Sequence, residues 1–207
     1  EVGKLRSESA KVVQQKAKPR AKNDPQAPID IGKAAGNGDL EAIERHIKAG
    51  TDLNQRGPDQ STPLMTATTF GRVEVAKALI GAGADLNMKS KDGSTALVVA
   101  SFFAHPEIVE ALLEAGADPN IRNNDGVTAL DVVQTPWEQI KPIYDFVGGI
   151  MGPAGLKLDY ERLRKTRPKI AVMLKEKGAE EGEGVGAGAV LGGLVMLIFF
   201  APIFHHL

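Results

Sequence analysis

Apolar residues recur along this chain on one long period. Val75, Ala76, Leu79 and Ile80 stand at i, i+1, i+4 and i+5, and Ile108, Val109, Leu112 and Leu113 repeat the set 33 residues later. That spacing lays an apolar stripe along one face of a helix. Gly83 and Gly116 close the two stripes, as expected of the residue that most easily takes the left-handed turn after a helix. Ahead of each stripe lies a shorter segment opening on threonine: Thr62-Pro63-Leu64, Thr95-Ala96-Leu97 and Thr128-Ala129-Leu130. Small residues follow, such as Ala67 and Ala100, up to Gly71 and Ala104, which predicts a short helix packed closely on its neighbours. The polar run from Met88 to Gly93 predicts a turn leading into the next unit.

A second phrase keeps the same period. Gly50-Thr51-Asp52-Leu53-Asn54 returns as Gly83-Ala84-Asp85-Leu86-Asn87 and as Gly116-Ala117-Asp118-Pro119-Asn120. Two unrelated phrases on one spacing of 33 mark an internal repeat, and the period, the Thr-Pro-Leu phrase and the Gly-Ala-Asp-x-Asn phrase resemble ankyrin repeats. The resemblance implies an all-α repeat fold, a solenoid of helix-turn-helix units with projecting hairpin turns. It also implies a non-enzymatic protein that binds other proteins. The histidine that usually follows Thr-Pro-Leu is replaced by Met65, Val98 and Asp131, so the stack is expected to be held mainly by apolar packing.

The expected repeats run near 29–60, 61–93, 94–126 and 127–180. The first is degenerate, with His46 where Leu79 and Leu112 stand in later copies, a substitution that suits the uncovered face of a terminal repeat. The fourth is interrupted. Arg167-Pro168-Lys169-Ile170 lines up with His105-Pro106-Glu107-Ile108 at an offset of 62, so an insertion of 29 (62 − 33) is expected at about 135–164. Trp137, Ile140, Tyr144 and Val147 give it a helical stripe, glycines at 148, 149 and 152 break it, and a short helix is expected from Leu158 to Leu163. It holds the single tryptophan and both tyrosines, which either meet a partner or cap the end of the stack.

Composition narrows the function. A net charge of −1 argues against nucleic acid, and the absence of cysteine excludes disulfides and thiolate metal sites. No metal or cofactor is expected. Residues 1–28 are rich in lysine, arginine and proline and predict a basic linker, which is either a plain tether or an arm touching anionic lipid headgroups. A hinge is expected at 181–184, then an uncharged run from Val185 to Phe204, the length of a membrane-spanning helix. Gly184, Gly188 and Gly192 would make one side of that helix smooth enough to pack on another transmembrane helix. The expectation is therefore a single-pass, membrane-anchored accessory or assembly subunit of a larger membrane complex, contacting the lipid bilayer. The alternative is a helper that ligates a cofactor through His205 or His206.

Basic residues before the apolar run, from Arg162 to Lys177, favour cytoplasmic repeats; a removed signal peptide would place them in the periplasm or outside the cell. Carrying the ankyrin resemblance over by column places partner-binding residues on the hairpin turns and inner helices. These are Arg56, Asp59, Thr69 and Phe70, then Lys89, Lys91, Asp92, Phe102 and Phe103, then Arg122, Asn124 and Asp125. Trp137 and Tyr144 of the insertion join them. The phenylalanines are either exposed anchors or fillers between the two helices of a repeat.

Overall fold

The computed structural model describes residues 29–181, and the secondary structure of those residues is helical throughout. In chain order the helices are α1 (Ile31–Asn37), α2 (Leu40–Lys48), α3 (Pro63–Thr69), α4 (Val73–Gly81), α5 (Ala96–Phe102), α6 (Pro106–Glu114), α7 (Ala129–Gln134), α8 (Trp137–Met151) and α9 (Tyr160–Glu176). The threonine phrases open helices because each threonine is an N-cap: the Oγ1 atoms of Thr62, Thr95 and Thr128 accept from the amides of Met65, Val98 and Asp131 at 3.3, 3.4 and 3.2 Å. Asp131 completes a capping box by accepting from the Thr128 amide and hydroxyl.

The helices form two rows. α1, α3, α5 and α7 pack in succession as an inner row, and α2, α4, α6 and α9 as an outer row. Each inner helix pairs with an outer one, and α7 pairs with α9, across the intervening α8. The core is the seam between the rows, filled by Leu64, Leu79, Leu97, Ile108, Leu112, Leu130, Ile170 and Leu174.

Polar ladders join the units beside that apolar seam. The Oδ1 atoms of Asn54 and Asn87 accept from the amides of Asp85 and Asp118, 31 residues on, at 2.9 and 3.0 Å. Asn120 makes the same bond to Glu180, 60 residues on, at 2.8 Å. The difference between those spacings is 29, the length expected of the insertion. On the turns, Arg56 donates to the Lys89 carbonyl at 2.8 Å and Lys89 to the Arg122 carbonyl at 2.9 Å, each 33 residues away.

One expectation changes here. The short helix over 158–163 is the first part of α9, which continues through Pro168 for 17 residues. Proline is tolerated there because Pro168 lies on the solvent side, while Leu163, Arg167, Ile170 and Leu174 carry the buried stripe past it. Residues 135–164 contribute to the core, since Ile140, Ile143, Tyr144, Val147 and Leu163 are all buried. Residues up to 181 are tied down, Gly178 and Glu180 by Asn120 and Glu181 by Lys175. The apolar run with Gly184, Gly188 and Gly192, the His205–His206 pair and the basic arm all lie outside the described residues. Among the described residues no helix is long and apolar enough to cross a membrane.

Candidate functional site

The expected partner-binding residues separate into an exposed set and a buried one. Arg56, Lys89, Lys91, Arg122 and Asn124 are exposed on the turns, with Asp59 and Asp125 partly covered beside them. Asn124 binds its neighbouring turn twice, through its amide to the Asp92 carbonyl and its side chain to the Lys91 carbonyl, both at 3.0 Å. The tips therefore form one continuous edge of exposed side chains, several of them bonded to the neighbouring turn, with their spacing set by the stack.

The buried set is a correction. Asp92 is 5% exposed and accepts from the hydroxyls of Ser90 and Ser94, so it clamps its own turn as Asp59 does through Ser61. Thr69 is buried with its hydroxyl donating to the Met65 carbonyl at 3.0 Å. Phe102, Phe103 and Tyr144 are also inside. Each is where it is because the insertion closes over the C-terminal end of α5: the Tyr144 ring lies 4.7 Å from that of Phe102, and its hydroxyl donates to the Phe102 carbonyl at 2.6 Å. Burial raises the Tyr144 pKa, against the pull of the nearby Arg167. Trp137 is half-buried, 5.9 Å from Tyr144 and 6.3 Å from Tyr160.

Two arginines from the basic stretch ahead of the apolar run organise this region. Arg167 is 4% exposed and donates to the carbonyls of Val132, Val133 and Thr135 at the end of α7. Arg162 donates to the carbonyls of Ala104 and Phe103 at the end of α5, at 2.6 and 3.3 Å. Arg72 does the same for α1 through the Gly36 carbonyl at 2.9 Å. A cation at the C-terminal end of a helix satisfies orphan carbonyls and opposes the negative end of the dipole. The available signal was positional. Arg72, His105 and Arg167 share a column once the insertion is removed.

His105 occupies this column over the end of α3. Its ring comes so near the backbone that a Cβ on Gly71 would sit 2.6 Å from it, and Gly71 also has φ +63, so glycine is required twice over. The same left-handed turn is made by Ala104 at φ 50, where Arg162 holds the carbonyl. Burial, then the charge of Arg162, lowers the His105 pKa to about 4 from 6.5. The unfolded chain thus binds the proton more tightly, so the contribution of neutral His105 is complete above pH 6.5 and is lost as pH falls through 4. Between about pH 7.5 and 4.5 the protein is expected to lose roughly 2–3 kcal/mol more stability than His105→Gln. Urea titrations at both pH values measure this, and equal losses would refute it.

Phe70 alone of the three phenylalanines keeps an open side. With Arg72, His105, Gly155, Leu156 and Lys157 it lines a cleft of about 390 Å³ between the second helix pair and the loop of the insertion. Among the described residues no cluster of side chains is arranged to hold a metal ion.

An ordered pile of helix pairs with projecting turns is the architecture of a repeat protein built to present a surface. Residues 31–123 match the family model for ankyrin repeats in three copies. None of the curated proteins matches it. Ankyrin repeats indicate a role in protein–protein interaction, and proteins built of them are generally non-enzymatic interaction modules.

Proposed function

We propose that this chain is a non-enzymatic, membrane-anchored interaction protein, an accessory or assembly subunit of a larger membrane protein complex. In this reading residues 29–180 form one domain of four repeats, the last split by the insertion, and the turn edge docks a protein partner. Arg56, Lys89, Lys91, Arg122 and Asn124 are its contact residues. The observation that carries the docking role is the exposed, mainly basic edge that the ladder bonds hold at fixed spacing. The anchor rests on the uncharged run from Val185 to Phe204, with Gly184, Gly188 and Gly192 facing a second transmembrane helix.

Co-purification in mild detergent tests both halves. Reversing charge with Arg56→Glu and Lys91→Glu is expected to remove a partner that the native chain retains, because charges at a rim steer and select partners. The doubly substituted chain should stay in the membrane fraction after alkaline carbonate. Release of the native chain by carbonate would refute the anchor, and retention of every partner by the charge-reversed chain would refute the docking edge.

A further inference from the structure

The cleft beside Phe70 exists only because the insertion folds back. Two walls come from the repeats: Phe70 and Arg72 from the end of α3 and its following turn, and His105 from the start of α6. The third is the loop Gly155, Leu156 and Lys157 between α8 and α9. The lining combines the half-buried Phe70 ring and the buried Leu156 with two cationic side chains and includes no carboxylate. Arg72 is fixed there by its Nε bond to the Gly36 carbonyl, and neither Arg72 nor Lys157 forms an ion pair among the described residues. The His105 ring forms part of the wall, and its Nε2 atom is buried against the Gly71 backbone without a hydrogen-bond partner. Arg162 adds a further positive charge close to that ring.

We infer that this cleft is a second docking site on the protein, which takes an acidic side chain of a partner polypeptide together with an adjoining apolar residue. A carboxylate between Arg72 and Lys157 gains two charge-assisted bonds and brings a negative charge near the His105 ring. The apolar neighbour of that carboxylate covers Phe70 and Leu156. Charge decides the class of occupant: a basic peptide would be repelled, and a neutral one would leave two cations unanswered. The inference shares with the proposed function only the premise that the chain binds protein. It needs neither the membrane anchor nor the turn edge.

The probes are two end-blocked, fluorescently labelled peptides, Phe-Asp-Leu-Glu and its uncharged counterpart Phe-Asn-Leu-Gln, titrated into the full chain in detergent and read by anisotropy. The acidic peptide is expected to bind about tenfold more tightly than the uncharged one, and Lys157→Gln, an exposed loop substitution, should erase most of that difference. In NMR titrations the His105 ring should gain proton affinity, by about one pH unit, when the acidic peptide is present. Phenylacetate is the small-molecule arm, and displacement of the peptide at equal carboxylate concentration would overturn the assignment to a polypeptide. Equal binding of both peptides, or a His105 titration unmoved by the acidic one, would overturn the cleft as a carboxylate site. The variant with Arg56→Glu and Lys91→Glu keeps the cleft, so its peptide affinity should be unchanged whatever becomes of the edge-bound partner.

Discussion

Phe102→Ala should lower the stability of the repeat domain by about 3–5 kcal/mol, the cost of emptying a buried aromatic site. Its ring is fully enclosed, with Tyr144 at 4.7 Å and Phe103 at 4.9 Å in an edge-on arrangement. Both neighbours are themselves constrained. Tyr144 is held by its hydroxyl on the Phe102 carbonyl, and the carbonyl of Phe103 is held by Arg162, so the cavity has little freedom to collapse. Phe103→Ala is expected to cost somewhat less, because its ring reaches the surface at 6% exposure. Phe70→Ala, at an open cleft, should cost about 1 kcal/mol or less, as surface substitutions do. Urea unfolding followed by far-UV circular dichroism ranks the three, and Trp137 fluorescence reports locally on the insertion. A Phe102→Ala variant as stable as the native chain would refute this account of the core.

Arg167→Met carries the second large effect, about 3 kcal/mol or more. The substitution keeps most of the apolar stem and removes the guanidinium, so it isolates the polar role. α7 has only six residues, because Thr135 precedes Pro136 and leaves helical conformation at φ −53, ψ 128. A helix that short leaves carbonyls without intrahelical donors. Arg167 supplies the donors at 2.8 Å to Val132, 3.2 Å to Val133 and 2.5 Å to Thr135, with Tyr144 as a fourth contact at 3.4 Å. All four partners are neutral, so the buried charge is balanced by oriented dipoles rather than by a counter-ion. Losing it strands buried carbonyls at about 1–3 kcal/mol each, moderated by whatever water enters. Lysine at this position should recover only part of the loss, having a point charge in place of the planar fork. Denaturant midpoints of the three forms decide the matter, and a methionine variant within about 0.5 kcal/mol of native would show that the carbonyls find other partners.

The repeat architecture was legible in the sequence because it is written in local terms. Thr62, Thr95 and Thr128 cap helices through bonds three residues away, and Gly83 and Gly116 end them at φ +87 and +90. The stripes of α4 and α6 need only a neighbour one period away to bury them. The pairing of α7 with α9 has a local trace too: Arg167 to Leu174 keeps the phrase of α6 wherever the chain places it. The register bond from Asn120 to Glu180 then follows from the same repeat at a longer spacing.

Where the insertion lies was decided by tertiary structure alone. Nothing local in Phe102 or Phe103 distinguishes an exposed anchor from a buried one, since Phe70 stands in the column of Phe103 and stays at the rim of a cleft. The difference is α8, which has no counterpart in the other units and covers one end of one inner helix. Asp92 was misread as a contact residue because a carboxylate on a turn looks the same in sequence whether it faces solvent or clamps Ser90 and Ser94. Arg162 and Arg167 count in sequence as basic charge ahead of the apolar run, and their bonds depend on helix ends that only the folded insertion brings to them. Periodicity determines contacts that repeat; a contact made once, between an insertion and the stack, has no periodic trace to read.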